Sequence, residues 1–155
     1  MRLRLAVATL VLPVLFFTAC DSNDQFDEQP MPREVADEDY TVTDSGLKYF
    51  DFDQGAGPEA AEGDSLLVLY NGWLTNGLLF DSSLFTGRPF PVILGQGRVI
   101  AGWEEGLLGM RENGTRQIVI PPDLAYGDQG SGATIPPGAT LIFEVAVVEL
   151  RDASD

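Results

Sequence analysis

From about residue 40 the chain consists of short apolar segments that glycine and proline interrupt, and this pattern limits what it can fold into. Segments of strand length with turn residues between them are typical of a β-sheet, and no stretch has the periodicity of a long amphipathic helix. One of them, Ser65–Leu74, has apolar residues on both faces, which predicts a central strand. The predicted strands are Gly46–Phe52, Ser65–Leu74, Leu78–Asp81, Phe90–Leu94, Thr115–Ile120 and Thr140–Leu150.

One segment alone has the spacing of a helix. Its apolar residues recur at intervals of three to four positions from Val99 to Leu107, and glycines at positions 102, 106 and 109 predict that the helix is short. The sequence therefore predicts an α+β fold, in which an antiparallel sheet of five to six strands wraps around one short α-helix.

The chain is strongly acidic and contains no histidine. Its 24 Asp and Glu residues against 9 Lys and Arg residues give a formal net charge of −15, which repels phosphate backbones and argues against nucleic acid as a partner. Without histidine, and with Cys20 as the one cysteine, the chain can form no Ser-His-Asp site, no Cys-His site, no zinc cluster and no intrachain disulfide. We therefore expect no metal and no cofactor.

Two kinds of site that need no histidine are poorly matched by this sequence. Glu104 and Glu105 are adjacent, so on a helix their side chains point about 100° apart, which does not suit hydrolysis by paired carboxylates. The glycines at positions 95 and 97 lack the later glycine and the βαβ unit of a nucleotide-binding loop.

The first twenty residues have the pattern of an export signal. Two arginines precede a largely apolar stretch, Leu5–Phe17, which is too short for a membrane-spanning helix. The ending Phe17-Thr18-Ala19-Cys20 resembles the lipobox of bacterial lipoproteins, in which the cysteine is acylated and becomes the first residue of the mature chain. An ordinary secretory signal that leaves a free thiol at Cys20 is the alternative.

The segment that follows the cysteine is acidic and poor in apolar residues. Asp21–Asp44 contains nine acids and one base, Arg33, and such a segment buries too little apolar surface to become ordered. We interpret residues 1–19 as a lipoprotein signal peptide, residues 20–44 as the acylated cysteine with a disordered acidic tether, and residues 45–155 as the folded domain. A role of the acidic stretch in binding a cation or a basic partner is the alternative to a spacer.

Three features of the folded part indicate a binding pocket. Aromatic residues are frequent, the loop between Ile120 and Thr140 is long and contains apolar residues, and the acid Asp81 stands at the end of an apolar strand. A plain core would also account for each aromatic residue taken alone, and a turn cap would account for Asp81. Together these features predict an aromatic-lined pocket with few polar groups, suited to an uncharged apolar peptide segment.

Five ordered motifs make a family resemblance specific. They are VLYNGWL at 68–74, LFDSS at 79–83, VIAGWEEGL at 99–107, PDLAYG at 122–127 and IPPGATLIF at 135–143. In order and spacing they resemble the FKBP-type peptidyl-prolyl cis-trans isomerases, from about Leu47 to Leu150. The resemblance implies that residues 45–155 form a domain of this type, with a proline-binding pocket between the sheet and the short helix.

The resemblance also implies which residues form the site. The implied catalytic residues are Asp81, Tyr126, Phe80 and Phe143, and the implied substrate-binding residues are Tyr70, Phe90, Val99, Ile100, Trp103 and Ile135. Trp103 would be the floor of the pocket, Ile100 would offer its backbone N–H to the ligand, and Ile135 would cover the site from the long loop.

One departure from the family pattern concerns the neighbour of Asp81. The family often has an arginine five residues after this acid, where this chain has Thr86. An ion pair to Asp81 would therefore require Arg88 or would be missing, which bears on catalytic efficiency and on inhibitor affinity.

The function that the resemblance implies is peptidyl-prolyl cis-trans isomerisation at Xaa-Pro bonds of exported proteins, as a folding catalyst. This reaction transfers no proton and needs no covalent intermediate, so the missing histidine is no obstacle. The expected partners are proline-containing polypeptides and macrolide-type inhibitors, and the expected location is the bacterial cell envelope, where a lipid on Cys20 anchors a monomer to a membrane. The alternative is a chaperone or proline-binding module on the same fold without turnover.

Overall fold

The structure is a computed structural model that describes residues 31–153. It contains an antiparallel sheet of seven strands and one short α-helix, with 3₁₀ turns between them. The strands are β1 (Thr41–Val42), β2 (Lys48–Asp53), β3 (Ser65–Leu74), β4 (Leu79–Ser82), β5 (Phe90–Ile93), β6 (Thr115–Ile120) and β7 (Leu141–Arg151), and the helix is α1 (Ala101–Gly106). The 3₁₀ turns are Asp37–Asp39, Ser83–Phe85, Pro122–Leu124 and Gly127–Gln129.

Strand β3 lies inside the sheet, as its two apolar faces predict. The order across the sheet is β1-β2-β6-β7-β3-β4, and β5 also pairs with β3. One edge of β3 pairs with β7 along its whole length. The other edge is shared, because β5 pairs with Ser65–Val68 and β4 pairs with Asn71–Trp73. The predicted α+β fold with one short helix is confirmed.

The sheet has one strand more than the sequence predicts. The six predicted strands correspond to β2–β7, with ends shifted by at most two residues. The additional strand, β1, has two exposed residues and pairs with β2 at the edge of the sheet. A strand of two residues has no apolar alternation that a sequence pattern could reveal.

Helix α1 lies close to β6 because two of its positions are glycines. A Cβ atom on Gly102 would lie 2.3 Å from the side chain of Ile120, and a Cβ atom on Gly106 would lie 2.8 Å from the side chain of Ile118. These glycines therefore set the distance between helix and sheet, which is a role beyond the limit on helix length that the sequence predicts. The main hydrophobic core fills this interface.

A buried arginine holds the C-terminal end of α1 on the sheet. Arg116 of β6 is 6% exposed, and its guanidinium donates to both carboxylate oxygens of Asp51 at 2.6 and 3.0 Å. It also donates to the backbone carbonyls of Gly106 and Leu108 at 2.9 and 3.0 Å. Because the charge is paired and its donors are used, burial of this arginine is tolerated.

Residues 31–44, the N-terminal segment, pack on the sheet face opposite α1. The backbone N–H of Arg33 donates to Glu144 of β7 at 2.6 Å, and its Nε donates to the same carboxylate at 3.0 Å. Gln117 of β6 donates to the carbonyl oxygen of Arg33 at 2.8 Å, and the Tyr40 hydroxyl donates to Gln117. The prediction of a disordered tether up to residue 44 is therefore wrong for residues 33–44, because two buried polar side chains of the sheet bind this segment.

The predicted signal peptide, the predicted acylation site at Cys20 and residues 21–30 lie outside the described residues. Among residues 31–153, no helix is long and apolar enough to cross a membrane.

Candidate active site

An aromatic-walled cavity lies between α1 and the sheet. Its volume is about 380 Å³. The residues that line it come from β3, β4, β5, β7, the start of α1 and the long loop after β6, namely Tyr70, Phe80, Asp81, Phe90, Arg98, Val99, Ile100, Trp103, Tyr126 and Phe143. Nine of the ten site residues predicted from the sequence are thus brought together in one cavity.

Five aromatic rings in mutual contact form the cavity wall. Trp103 lies centrally, with ring centroids 5.0 Å from Tyr70, 5.2 Å from Phe143 and 6.1 Å from Phe90. Phe80 packs against Phe143 at 5.5 Å. All four of these pairs are edge-to-face, an arrangement that aromatic quadrupoles favour. The aromatic part of the wall is therefore held together by favourable contacts between its rings.

A glycine in β3 makes room for this packing. A Cβ atom on Gly72 would lie 2.6 Å from the ring of Phe143 and 3.0 Å from the ring of Phe80. Both rings line the cavity, so any side chain at this position would displace them.

Helix α1 supplies the floor, and a backbone donor directly before it has no partner among the described residues. Trp103 is 4% exposed, and its backbone N–H donates to the carbonyl oxygen of Ile100 at 2.9 Å, which fixes the first turn of the helix. The N–H of Ile100 itself donates no hydrogen bond to residues 31–153. A donor is therefore free at the edge of the floor.

The Asp81 carboxylate is held at the rim by two neutral donors. The Tyr70 hydroxyl donates to one oxygen at 2.9 Å, and the Ser82 N–H donates to the other at 2.8 Å. Burial raises the pKa of the Tyr70 hydroxyl, and the hydrogen bond to Asp81 raises it further. Tyr70 therefore stays protonated and keeps its role as a donor.

No ion pair between Asp81 and Arg88 exists in the part of the chain that the structure describes. Thr86, which stands at the family's arginine position, donates instead to the carbonyl oxygen of Ser83 at 2.9 Å and closes a 3₁₀ turn. The acid is consequently oriented without a cationic partner.

Ile135 is the one predicted site residue that does not line the cavity. It is 7% exposed and belongs to the main core. Its backbone pairs with Ser131 in a short bridge inside the long loop. The prediction that Ile135 covers the site is not matched by this placement. Tyr126 from the same loop is 40% exposed and does line the cavity.

Arg98 lines the cavity and was not predicted as a site residue. Its side chain forms no ion pair with the described residues. The signal in the sequence is its position directly before Val99, a predicted pocket residue.

The two glutamates of α1 bind separate partners and form no catalytic pair. Glu104 accepts from the backbone N–H groups of Gly95 and Gly97 at 2.6 and 2.8 Å, and Glu105 accepts from the hydroxyl of Ser45 at 2.8 Å. Both carboxylates therefore fix neighbouring loops.

Comparisons with known proteins agree with this geometry. A sequence profile of the family described as FKBP-type peptidyl-prolyl cis-trans isomerase matches residues 57–148. The FK506-binding protein of Neisseria meningitidis serogroup B is 49% identical over 107 residues, which are 69% of this chain and 98% of that protein.

Two solved structures have the same fold. The crystal structure of AtFKBP13 matches with a TM-score of 0.68 and 40% identity, over 71% of this chain and 97% of that chain. The crystal structure of FkpA from Escherichia coli matches with a TM-score of 0.69 and 36% identity, over 75% of this chain and 53% of that chain. Since the family profile covers more than half of the sequence and the sheet, helix and cavity have the expected arrangement, this chain belongs to the FKBP-type peptidyl-prolyl cis-trans isomerases.

Proposed function

We propose that the chain, a peptidyl-prolyl cis-trans isomerase, twists the prolyl amide of its substrate inside the aromatic cavity and transfers no proton. The observation that carries this mechanism is the composition of the cavity wall, in which five contacting aromatic rings line the cavity and the Asp81 carboxylate lies at its exposed rim. Such a wall holds an apolar ring and excludes water. Neither effect requires a nucleophile or a general base.

The physical basis is the difference in polarity between the planar and the twisted amide. Resonance in the planar form opposes rotation with a barrier of about 18–20 kcal/mol, and it also places partial charges on oxygen and nitrogen. A dehydrated apolar site therefore favours the twisted amide relative to the planar one. Each preference of about 1.4 kcal/mol accelerates rotation about tenfold.

Most of the cavity residues bind the substrate through packing and hydrogen bonds. The prolyl ring packs on Trp103, with Phe80 and Phe143 at its sides. The Ile100 N–H and the Tyr126 hydroxyl, which donate to no other described residue, bind carbonyl oxygens of the substrate. These two donors fix the peptide on either side of the bond that rotates.

Asp81 supplies the negative charge at the rim. In the planar amide the oxygen carries additional negative charge, so a nearby carboxylate raises the free energy of that form. The two donors from Tyr70 and Ser82 hold the carboxylate in one orientation. We assign Asp81 as the residue whose charge favours the twisted amide.

Exchange spectroscopy on a short Xaa-Pro peptide tests the mechanism, because it measures cis-trans interconversion directly. Asp81→Leu should lower kcat/KM at least tenfold and leave the fold intact. Asp44→Leu, which removes an exposed acid outside the cavity, is the matched control and should have no effect. If the two variants are equally active, the assignment of Asp81 is wrong.

The same assay separates catalysis from plain binding. Wild-type protein that binds the peptide without accelerating its exchange would favour the alternative, a chaperone or proline-binding module on this fold.

Relatives of this chain are named for binding FK506, and we propose that macrolides of this type occupy the same cavity. They should then inhibit exchange competitively, and Tyr126→Phe should weaken their binding modestly.

We further propose that the protein is exported and anchored to the cell envelope by a lipid on Cys20, so that its substrates are exported polypeptides. The support is the lipobox-like sequence at residues 17–20 and the single cysteine placed there. Cys20→Ala should move the protein to the soluble fraction and abolish incorporation of a clickable fatty acid. Membrane association and labelling that persist in this variant would refute the anchor.

A further inference from the structure

The loop between β4 and β5, residues 83–89, exposes two adjacent apolar side chains. Leu84 is 53% exposed and Phe85 is 67% exposed, the largest exposed fraction of any large apolar side chain among the described residues. Single exposed apolar residues are common on proteins, but an adjacent pair beside a cavity is the pattern of a binding surface.

The sheet topology places this loop at the cavity. Pairing with β5 ends at Val68 and pairing with β4 begins at Asn71, so this edge of β3 is without a strand partner at Tyr70. The hydroxyl of Ser83 fills the gap, since it accepts from the Tyr70 N–H at 3.0 Å and donates to the Tyr70 carbonyl at 3.3 Å. The loop thus leaves the sheet beside a cavity wall.

The loop lies between two cavity residues in the chain. Asp81 lies two residues before its first position, Phe90 follows its last position, and both line the cavity. The base of the loop is also fixed, because the Leu84 N–H donates to the Ser82 hydroxyl at 3.0 Å and the Thr86 hydroxyl closes the 3₁₀ turn. Leu84 and Phe85 therefore lie in an ordered loop between two residues that line the cavity.

We propose that Leu84 and Phe85 bind apolar side chains of the substrate polypeptide next to the proline that occupies the cavity. The proposal rests on the isomerase function proposed above and names a further property of the substrate. A folded protein buries its apolar side chains, whereas an unfolded chain presents them beside its prolines. The rim therefore directs the enzyme to apolar stretches of unfolded polypeptides.

Two synthetic peptides with one central Ala-Ala-Pro-Ala sequence test the proposal. One has leucine and valine flanks on both sides, and the other has serine and glycine flanks. With the full chain, exchange spectroscopy should give a kcat/KM about tenfold higher for the apolar peptide, because two apolar contacts add to its binding. In the double variant Leu84→Ser/Phe85→Ser this ratio should fall below about two.

A matched variant controls for the general loss of surface hydrophobicity. Leu78→Ser/Val148→Ser removes two apolar side chains that are 52% and 42% exposed but lie in the β3–β4 turn and in β7, outside the cavity lining. It should keep the tenfold ratio. A ratio that persists in Leu84→Ser/Phe85→Ser, or that is lost equally in the control variant, overturns the proposal.

Titration with each peptide, followed by tryptophan fluorescence, measures binding affinity independently of turnover. It therefore tests the role of Leu84 and Phe85 even if the isomerase mechanism fails. If the wild-type protein accelerates exchange of neither peptide, the isomerase mechanism fails while the rim is still tested by affinity. Wild-type protein should then bind the apolar peptide about tenfold more tightly than the polar peptide, and Leu84→Ser/Phe85→Ser should not. Equal affinities for the two peptides would overturn the proposal independently of turnover.

Discussion

The hydroxyl of Tyr70 helps to hold the Asp81 carboxylate in one orientation at the rim. Tyr70→Phe keeps the ring but removes the donor at 2.9 Å. We expect kcat/KM on a short Xaa-Pro peptide to fall about fivefold and the free energy of unfolding to fall by about 1 kcal/mol. Tyr49→Phe removes a hydroxyl without a partner among residues 31–153 and should change neither. Equal losses in both variants would contradict this role of Tyr70.

Tyr40 and Tyr70 also predict how stability depends on pH. Burial raises the pKa of both hydroxyls, and the acids Asp37 and Glu144 near Tyr40 and Asp81 near Tyr70 raise it further. Below about pH 10 these tyrosines are protonated in the folded and unfolded states alike. Above it the unfolded chain releases protons that the folded chain retains, so the free energy of unfolding decreases.

Denaturant titrations between pH 8 and 11 check this expectation. The wild-type midpoint should fall above about pH 10, and Tyr40→Phe/Tyr70→Phe should show a smaller fall.

Turnover should stay constant from about pH 6 to 9, since the chain lacks histidine, the side chain that ordinarily titrates there. A turnover profile with a midpoint near neutral pH would mean that a titrating group takes part in the reaction.

The positions of single site residues were predictable where a motif fixes their spacing. Phe80 and Asp81 lie in β4, and Val99, Ile100 and Trp103 lie directly before α1 or in its first turn, so local structure brings each set to the cavity. Ile135 does not line the cavity, and its placement depends on how a twenty-residue loop folds back on itself. Such a loop is held by backbone contacts, among them the bridge to Ser131, that no side-chain pattern encodes.

The N-terminal segment is the element that sequence reasoning missed. Its composition predicts disorder, yet a signal existed in β7, where Glu144 interrupts a strand that is otherwise apolar. A carboxylate that is 4% exposed requires a positive partner. Arg33 is that partner, but 111 residues separate the two in the chain, so neither local propensity nor periodicity relates them.

Removal of the N-terminal segment should weaken the fold and spare the site. A soluble fragment that begins at residue 45 leaves Glu144 and Gln117 without the contacts of Arg33 and Tyr40. Its free energy of unfolding should be about 2–3 kcal/mol lower than that of a fragment that begins at residue 24. Its kcat/KM at low temperature should agree within about twofold, because Glu144 and the cavity residue Phe143 point to opposite faces of β7.

Point variants in the longer fragment show whether the ion pair carries this effect. Arg33→Ala should reproduce much of the loss in denaturant titrations. Lys48→Ala removes a more exposed pair, in which Asp37 is 90% exposed, and should cost little. Fragments of equal stability would show that the segment rests on the sheet without stabilising it.

For the molecule as a whole, the apolar pattern predicts the fold class and the central strand, because burial of β3 on both faces requires apolar residues at most positions of that strand. The distance between α1 and the sheet does not follow from the sequence pattern. It depends on glycines 102 and 106 meeting Ile120 and Ile118, which are contacts between segments distant in the chain. From the sequence alone, local rules relate these glycines only to the length of the helix.

The net charge of −15 predicts that the folded state is stabilised by salt. Folding concentrates the like charges, and added ions screen their repulsion, whereas the exposed ion pairs that salt also weakens contribute little. Thermal unfolding should therefore shift upward by a few degrees between about 20 and 500 mM sodium chloride. The triple variant Glu62→Gln/Asp123→Asn/Asp128→Asn removes three exposed acids that lack ion pairs among the described residues, so it should melt higher at low salt and respond less. A midpoint that falls with salt would show that attraction within the ion pairs outweighs the repulsion between the excess acids.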